Sequence, residues 1–352
     1  MSRPTRELYG ARSLATWIRE GGRPARAPIG YSLRLGWHAR WFEINWRTQL
    51  PRLSSAALPD DPVFILGLWR SGTTVLHELI NACGGWVTPQ TWQCFNPSTC
   101  FLTGPPRSAA SVSRPMDQGR IATAGPQEDE FAILLLGEPS VYRGLIDPRR
   151  LIECAAPLWS SSEGPMSRWR DFVRGISQSG TGRLLLKSPS HTFRLPLIRE
   201  AFPRAQFVWI GRHAGEVLAS NHRMWRSMMS LYALWDCPTG TLETFLQDAV
   251  RACSTVLESC VAEMPPDRML WVDYDRLQTE PATVLRQILR FVGAPAARDP
   301  DPRVLQSTVE SAVSTVPIHP GTRSDLPNEE SLRALDESMS AARERLGRAC
   351  RD

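Results

Sequence analysis

The segment Pro62 to Leu79, PVFILGLWRSGTTVLHEL, constrains the fold of this chain more than any other. An apolar run over Val63 to Leu66 predicts a buried strand, which stops at Gly67. A helical pattern of apolar residues starts after Gly72. Because a strand, a tight loop and a helix in this order aim backbone N–H groups and the positive end of the helix at one point, the segment predicts a phosphate site.

The two glycines have the spacing of the nucleotide-binding P-loop, GxxxxGK[ST], but Thr73 stands where that loop has its lysine. The lysine ordinarily reaches the β- and γ-phosphates of a triphosphate, so its replacement argues against ATP or GTP. Groups that can hold a single phosphate remain. They are Arg70, Ser71, Gly72, Thr73 and Thr74.

Two further predicted strands end in basic residues. Leu184 to Leu186 runs into KSPSH, Lys187 to His191, and a lysine at a strand end lies where open α/β sheets bind ligands. Gln206 to Ile210 is followed by Arg212, with Ser220 about two turns into the next helix. A guanidinium and a hydroxyl in this arrangement predict a second anion site, the alternative being a surface ion pair of the arginine.

Three acidic residues, Glu128, Asp129 and Glu130, stand at the front of a predicted helix within GPQEDEFAILLL. The helix dipole alone would explain acids at this end. The other interpretation is a carboxylate base that points into an active-site cleft.

Four ordered blocks between Val63 and Gly293 resemble the sulfotransferases, and the broad bacterial type more than the cytosolic aryl type. They read GLWRSGTT, LLLKSPSH, FVWIGRHAGEVLAS and VDYDRL. The resemblance implies an α/β fold, a P-loop-containing three-layer sandwich with a central, mainly parallel sheet flanked by helices. It also implies 3′-phosphoadenosine 5′-phosphosulfate (PAPS) as the sulfuryl donor. Trp69 replaces the family's frequent proline in the first block, and Ala214 replaces the proline of R-x-P-x-x-x-x-x-S in the third.

The resemblance also implies roles for the strand-end residues. The 5′-phosphosulfate would lie on the residues from Arg70 to Thr74, and the 3′-phosphate on Arg212 and Ser220. Lys187 would polarise the bridging oxygen as charge develops on the departing phosphate. No metal is expected, because the sequence shows no metal-ligand spacing.

The base that accepts the proton of the acceptor stays open among four residues: Glu128, Asp129, Glu130 and His191. The aryl type uses a histidine two residues after its lysine, and Pro189 occupies that position here. We favour Glu128 or Glu130, since the similar family places its acids in a cluster led by a proline, and His191 is the rival.

The chain of 352 residues, 42% hydrophobic, is long enough for one large α/β core. We expect an N-terminal arm with an amphipathic helix over residues 1–50 and a sulfotransferase P-loop domain over residues 51–352. Tyr31 to Leu50 sets several tryptophans among arginines. Such a helix lies on a membrane surface, gates an apolar substrate, or packs on the core with its arginines solvated.

Charge and cysteine usage narrow the class of protein. A net charge of +5 and a pI near 8.9 suit an anionic cofactor and fall short of nucleic-acid binding. The eight cysteines form no CxxC pair, and no signal peptide precedes them. We therefore expect free thiols and a cytoplasmic location, with membrane association if residues 31–50 contact lipid. No run approaches the ~20 apolar residues of a membrane span.

The sequence thus predicts sulfuryl transfer from PAPS to a hydroxyl or amine. Trp86, Trp92, Phe95 and Phe101 lie in a predicted loop over Gly84 to Pro106, and they favour an apolar or aromatic alcohol, a lipid or a secondary metabolite as the acceptor. The alternatives are a P-loop kinase or NTPase and a non-catalytic nucleotide-binding module. The acceptor itself and the oligomeric state stay open.

Overall fold

The computed structural model describes residues 31–106, 111–113, 120–318 and 330–346. Residues 1–30 of the predicted N-terminal arm lie outside them. Contacts divide the chain into two compact units. The first unit comprises Met1–Leu58, Pro89–Ser179 and His222–Phe245. The second, called the sheet unit below, comprises Pro59–Thr88, Gly180–Asn221 and Leu246–Asp352.

The sheet unit is built on a five-stranded sheet in the order β2-β5-β1-β6-β7, in which every pair is parallel. Its strands are β1 (Val63–Leu66), β2 (Trp86–Val87), β5 (Arg183–Lys187), β6 (Gln206–Gly211) and β7 (Met269–Asp273). The first unit holds an antiparallel pair, β3 (Ser111–Ser113) and β4 (Arg120–Ala122). The parallel sheet with flanking helices confirms the predicted α/β class.

The helices are numbered in chain order. The first unit contains α1 (Tyr31–Ser54), α3 (Thr91–Phe95), α4 (Cys100–Thr103), α5 (Glu130–Leu136), α6 (Arg143–Ile146), α7 (Leu151–Trp159) and α8 (Ser167–Ser177). The sheet unit contains α2 (Thr73–Ala82), α9 (Leu195–Ala201), α12 (Tyr274–Thr279), α13 (Pro281–Phe291), α14 (Pro295–Arg298), α15 (Pro302–Thr315) and α16 (Glu330–Leu346). Residues of both units belong to α10 (Ala214–Tyr232) and α11 (Thr241–Glu263).

The position of β1 inside the sheet decides where the site lies. All four residues of β1 are buried, as expected for a parallel strand covered on both faces. Ile65 pairs with Lys187 of β5, and Leu66 pairs with Trp209 of β6. The carboxyl ends of β5, β1 and β6 therefore meet at one edge, with β5 and β6 on opposite sides of β1. This is the switch point at which open α/β sheets bind ligands.

The segment predicted as a loop contains secondary structure, and so does the proline-rich segment after residue 293. The predicted loop over Gly84 to Pro106 holds β2, α3 and α4, and a capping box between Gln90 and Gln93 starts α3. The proline-rich segment after residue 293 holds α14 and α15, because its prolines occupy first turns, where the missing N–H costs nothing. The elements β2, α3, α4 and α14 have only two to five residues each and are too short for periodicity to reveal them. The helix α15 has 14 residues and buries Leu305, Val309 and Ala312 at helical spacing, a pattern that could have predicted it.

The acidic segment also differs from the prediction at its helix start. The helix α5 begins at Glu130, so Glu128 and Asp129 precede it. Asp129 at the N-cap and Glu130 in the first turn therefore lie at the positive end of the helix dipole, whereas Glu128 needs another explanation.

Gly211 ends β6 against the indole ring of Trp271 on β7. A Cβ atom at this position would lie 2.2 Å from Cζ2 of that ring, well inside van der Waals contact. We expect Gly211→Ala to lower the free energy of unfolding by about 1–3 kcal/mol, because the ring or the strand must move. In a Trp271→Leu background the same substitution should cost clearly less, as a double-mutant cycle in denaturant would measure. An equal cost in both backgrounds would contradict the steric explanation.

Candidate active site

The loop between β1 and α2 requires glycine at two positions. Gly67 has φ 142° and Gly72 has φ 105°, a region that disfavours side chains. A Cβ at Gly67 would lie 2.5 Å from the carbonyl oxygen of Ile210, and one at Gly72 would lie 2.4 Å from the ring of Tyr274. The helix α2 starts at Thr73, so the N–H groups of its first turn border this loop.

Side chains of the sheet unit hold the loop in place. The Thr192 hydroxyl accepts a hydrogen bond from the Gly67 N–H at 2.9 Å and donates one to the Gly67 carbonyl at 3.1 Å. Asn221 Nδ2 donates to the Trp69 carbonyl at 2.6 Å. Sequence reasoning missed both residues, although Thr192 directly follows KSPSH and Asn221 directly follows Ser220.

Lys187 reaches the loop from the neighbouring strand. Lys187 is the last residue of β5 and is only 3% exposed to solvent. Its Nζ donates a hydrogen bond to Thr74 Oγ1 at 3.4 Å. Thr73 occupies the sequence position of the usual P-loop lysine, and Lys187 brings an ammonium group to the adjacent residue instead. The first turn of α2 therefore has a buried positive charge beside it.

Arg70 joins the two predicted anion sites. Its Nε donates to Ser220 Oγ at 3.1 Å, and its carbonyl accepts from Arg212 Nη1 at 3.4 Å. Arg70 has φ 70°, in the left-handed region that residues other than glycine seldom adopt. The structure thus brings Arg212 and Ser220 together with the glycine loop, as the sequence predicts.

Arg212 forms the ion pair that the sequence analysis gave as the alternative, with Glu216 four residues further along the chain. Its Nε and Nη2 donate to Glu216 Oε2 at 2.9 and 2.7 Å, and its guanidinium lies 4.8 Å from the ring centre of Tyr274. Burial raises the pKa of Tyr274, against the lowering effect of Arg212 and Arg70, so the phenol keeps its proton at neutral pH. An anion at Arg212 therefore competes with Glu216 for the same donors.

His191 is fully buried in the sheet unit. Its ring packs edge-on against Phe64, with ring centroids 5.5 Å apart, and the residue is 0% exposed. It belongs to a short 3-10 helix, Pro189–Thr192, that follows β5. The last residue of this helix is Thr192, which binds Gly67 of the glycine loop.

The three acids lie in the first unit, and each accepts a hydrogen bond from a different side chain. Tyr142 Oη donates to Glu128 at 2.7 Å, Trp169 Nε1 donates to Asp129 at 2.7 Å, and Ser140 Oγ donates to Glu130 at 2.6 Å. Asp129 and Glu130 are 0% exposed, whereas Glu128 retains 9%. The acids therefore differ in access although they are adjacent in sequence.

Several other features bear on the chemistry of the described residues. Within the described part of the chain, no group of three or more His, Cys, Asp or Glu side chains is arranged to hold a metal ion. The helices described here include none long and apolar enough to cross a membrane.

The seven described cysteines are free, and burial raises the pKa of the Cys83 and Cys100 thiols to about 12. These two side chains are thiols rather than reactive thiolates at neutral pH.

A glycine loop between the central parallel strand and a helix defines an α/β protein of the P-loop class. The family model described as the sulfotransferase family matches residues 62–299, so the chain belongs to the sulfotransferase family. This match confirms the predicted resemblance and the predicted enzyme class, and it favours sulfuryl transfer over the phosphotransferase alternative.

Two curated relatives are each 27% identical to the chain over 252 residues. They are named omega-hydroxy-beta-dihydromenaquinone-9 sulfotransferase Stf3, one from Mycobacterium bovis and one from Mycobacterium tuberculosis. Each match covers 69% of this chain and 65% of the relative, slightly less than two thirds of the relatives' length.

Solved structures show the same fold. The crystal structure of sulfotransferase STF9 from Mycobacterium avium superposes with a TM-score of 0.66 at 18% identity, covering 99% of this chain and 92% of that one. Sulfotransferase STF1 from Mycobacterium tuberculosis gives 0.61 at 16% identity, covering 97% and 93%. At these identities the likeness concerns the fold.

Removing the Thr192 hydroxyl tests how the loop is held. Thr192→Val keeps the side-chain shape but takes both hydrogen bonds from the buried backbone of Gly67. We expect a loss of about 1–3 kcal/mol in the free energy of unfolding, measured by chemical denaturation. Thr192→Ser keeps the hydroxyl and serves as the matched control with a smaller loss. Equal losses in the two variants would show that the hydroxyl does not hold the loop.

Proposed function

We propose that the chain is a sulfotransferase that moves the sulfuryl group of PAPS to a hydroxyl or amine of a small-molecule acceptor. The observation that carries the proposal is the junction at Arg70. There Ser220 Oγ lies 3.1 Å from Nε, and Arg212 Nη1 lies 3.4 Å from the carbonyl oxygen. A nucleotide with phosphate groups on both its 5′ and 3′ sides needs two anion sites close together, and this junction supports such a ligand.

The residues on the two sides of the junction fit PAPS. The 5′ side would be held by the backbone and side chains of the glycine loop, from Arg70 through Ser71, Gly72 and Thr73 to Thr74. The 3′ side would be held by Arg212 and Ser220. When bound, PAPS supplies the activated sulfuryl group.

Lys187 is proposed to stabilise the negative charge that develops on the leaving phosphate. Its ammonium is 3.4 Å from Thr74 Oγ1 and almost completely buried. A positive charge in a site that excludes water interacts more strongly with a developing anion than the same charge in bulk solvent. This role needs a fixed donor and does not need a metal ion.

We propose Glu128 as the base, ahead of Glu130. A base must reach the proton of the acceptor, and Glu128 is the acid of the three that keeps an exposed fraction, 9% against 0% for the other two. Tyr142 donates to Oε1 of this carboxylate and so orients it. His191 is the weaker candidate because its ring is fully buried against Phe64.

The acceptor is proposed to be an apolar, lipid-like alcohol. In the first unit, Phe95 stacks on Phe131 at 4.9 Å between ring centroids, and Phe131 lies 5.3 Å from Tyr142, which binds Glu128. This aromatic row leads to the proposed base and suits an apolar substrate. The name of the relatives, which specifies an omega-hydroxy menaquinone derivative, is consistent with a hydroxyl on a lipid.

The two-anion arrangement is tested by nucleotide affinity. Arg212→Ala is expected to weaken binding of adenosine 3′,5′-bisphosphate by about 10- to 150-fold, the usual range for a lost charge-assisted hydrogen bond. Adenosine 5′-monophosphate lacks the 3′-phosphate, so its affinity should stay nearly constant. Both affinities are measurable by isothermal titration calorimetry. Glu216→Gln removes the competitor of the anion and should not weaken bisphosphate binding.

Two results would count against this assignment. One is an Arg212→Ala variant that loses the monophosphate and the bisphosphate equally. The other is wild-type protein that binds ATP as tightly as the bisphosphate, which would return the phosphotransferase alternative.

The base and the reaction are tested by following labelled sulfate from PAPS into acceptor alcohols. A suitable panel is a hydroxylated menaquinol, geranylgeraniol and 2-naphthol. We expect Glu128→Gln to lower kcat by about 100-fold or more while the affinity for adenosine 3′,5′-bisphosphate is kept. Glu130→Gln is the matched control and should lose much less. The reverse order would move the base to Glu130, and no transfer to any member of the panel would contradict the proposed acceptor class.

A further inference from the structure

The helix α1 is fixed to the first unit by one of its faces. Trp46, Gln49 and Leu53 recur at the spacing of a single helical face, and they are 2%, 3% and 1% exposed. Gln49 Nε2 donates to the carbonyl of Pro97 at 2.9 Å, and a Cβ at Gly175 of α8 would touch Leu53. This face attaches the helix to the first unit through buried side chains.

The opposite face of α1 exposes large apolar side chains. Trp37, Trp41 and Ile44 are 70%, 53% and 48% exposed. At about 100° per residue they fall within about 60° of one another around the helix, away from the buried face. The exposed large hydrophobic residues of the described chain are these three together with Leu102 and Val304. Three of these five exposed large apolar side chains therefore lie in one stripe of α1, called the outer face below.

Arginines flank the outer face. Arg40, Arg47 and Arg52 are all exposed, and by helical geometry they lie at the two sides of the apolar stripe. The single acidic residue of α1, Glu43, accepts from Arg47 at 3.0 Å and from Arg168 at 3.1 Å. The outer face thus has apolar side chains at its centre and guanidinium groups at its edges. The negative charge of Glu43 is balanced by its ion pairs with Arg47 and Arg168.

We propose that the outer face of α1 binds the surface of an anionic lipid bilayer. Tryptophan rings have an apolar body and a polar N–H, which suits the boundary between headgroups and acyl chains. Arginine side chains extend from that depth to the lipid phosphates. A convex stripe on one helix, rimmed by cations, matches a flat anionic surface in both shape and charge. The helix would lie in the plane of the interface.

The proposal goes beyond sulfuryl transfer, because it rests on α1 alone. If the acceptor is a lipid alcohol, binding to a bilayer would bring the enzyme to the phase that contains its substrate. Vesicle binding and sulfuryl transfer to a water-soluble alcohol can nevertheless succeed or fail separately, so the two proposals are tested independently.

The test is co-sedimentation of the full chain with vesicles. We expect binding to phosphatidylcholine vesicles that contain about 30% phosphatidylserine, and at least about tenfold weaker binding to phosphatidylcholine alone. Added salt should weaken the binding, since each arginine near an anionic surface contributes about fivefold to the partition coefficient.

Variants assign the binding to the outer face. Trp37→Gln/Trp41→Gln should reduce partitioning by at least about tenfold, and Arg40→Gln/Arg52→Gln should remove most of the preference for anionic lipid. Val304→Gln removes an exposed apolar side chain elsewhere and is the matched control, with unchanged binding. All of these side chains are exposed, so melting temperatures should stay close to that of the wild type, and transfer to 2-naphthol should persist.

Three results would overturn the proposal. The first is wild-type protein that does not sediment with anionic vesicles. The second is a tryptophan double variant that binds vesicles as well as the wild type. The third is a dimer in analytical ultracentrifugation that the same double variant dissociates, which would assign the outer face to a second copy of the chain.

Discussion

Parallel pairing of β1 with both β5 and β6 is the constraint on which the candidate site depends. The pairing of Ile65 with Lys187 and of Leu66 with Trp209 fixes where the three strands end. Because the strands are parallel, a glycine loop, a lysine and an arginine that are far apart in sequence emerge at the same edge of the sheet. A shift of register by one residue would turn the β5 side chains to the other face and remove Lys187 from Thr74.

The glycine loop lacks a lysine in its sequence, but a lysine from another strand lies beside it in the fold. An ordinary P-loop carries its lysine within the loop, where it reaches the outer phosphates of a triphosphate. Here Thr73 occupies that position, and the ammonium group comes from the end of β5 beside Thr74. Within the loop, the side chain of Arg70 contacts Ser220 and its carbonyl contacts Arg212. Such a distribution of charge suits a ligand with phosphates at two separate positions better than a linear triphosphate.

Sequence patterns predicted the elements that are long or strongly buried and the residues at their ends. Continuous apolar runs marked β1, β5 and β6, and the glycines marked the loop, because these signals are local. Side-chain partners were not predictable in the same way. The i,i+4 spacing of Arg212 and Glu216 allows their ion pair, but it does not decide between this pair and a ligand. The hydrogen bonds that distinguish Glu128 from Glu130 come from Tyr142 and Ser140, which approach only in the folded unit.

The helix α1 shows how one sequence pattern can support two interpretations of the same helix. Tryptophans and arginines over residues 31–50 fitted either a helix packed on the core or one that faces a membrane. The described helix has a buried face around Trp46 and an exposed face around Trp41. The apolar residues in its sequence therefore belong to two different faces, and the sequence pattern does not separate them. A helix that only covered a core would gain nothing from the second stripe, since exposed tryptophans favour aggregation. The exposed stripe is the observation that supports the proposed membrane contact, and the arginines at its rim favour a surface with a negative charge.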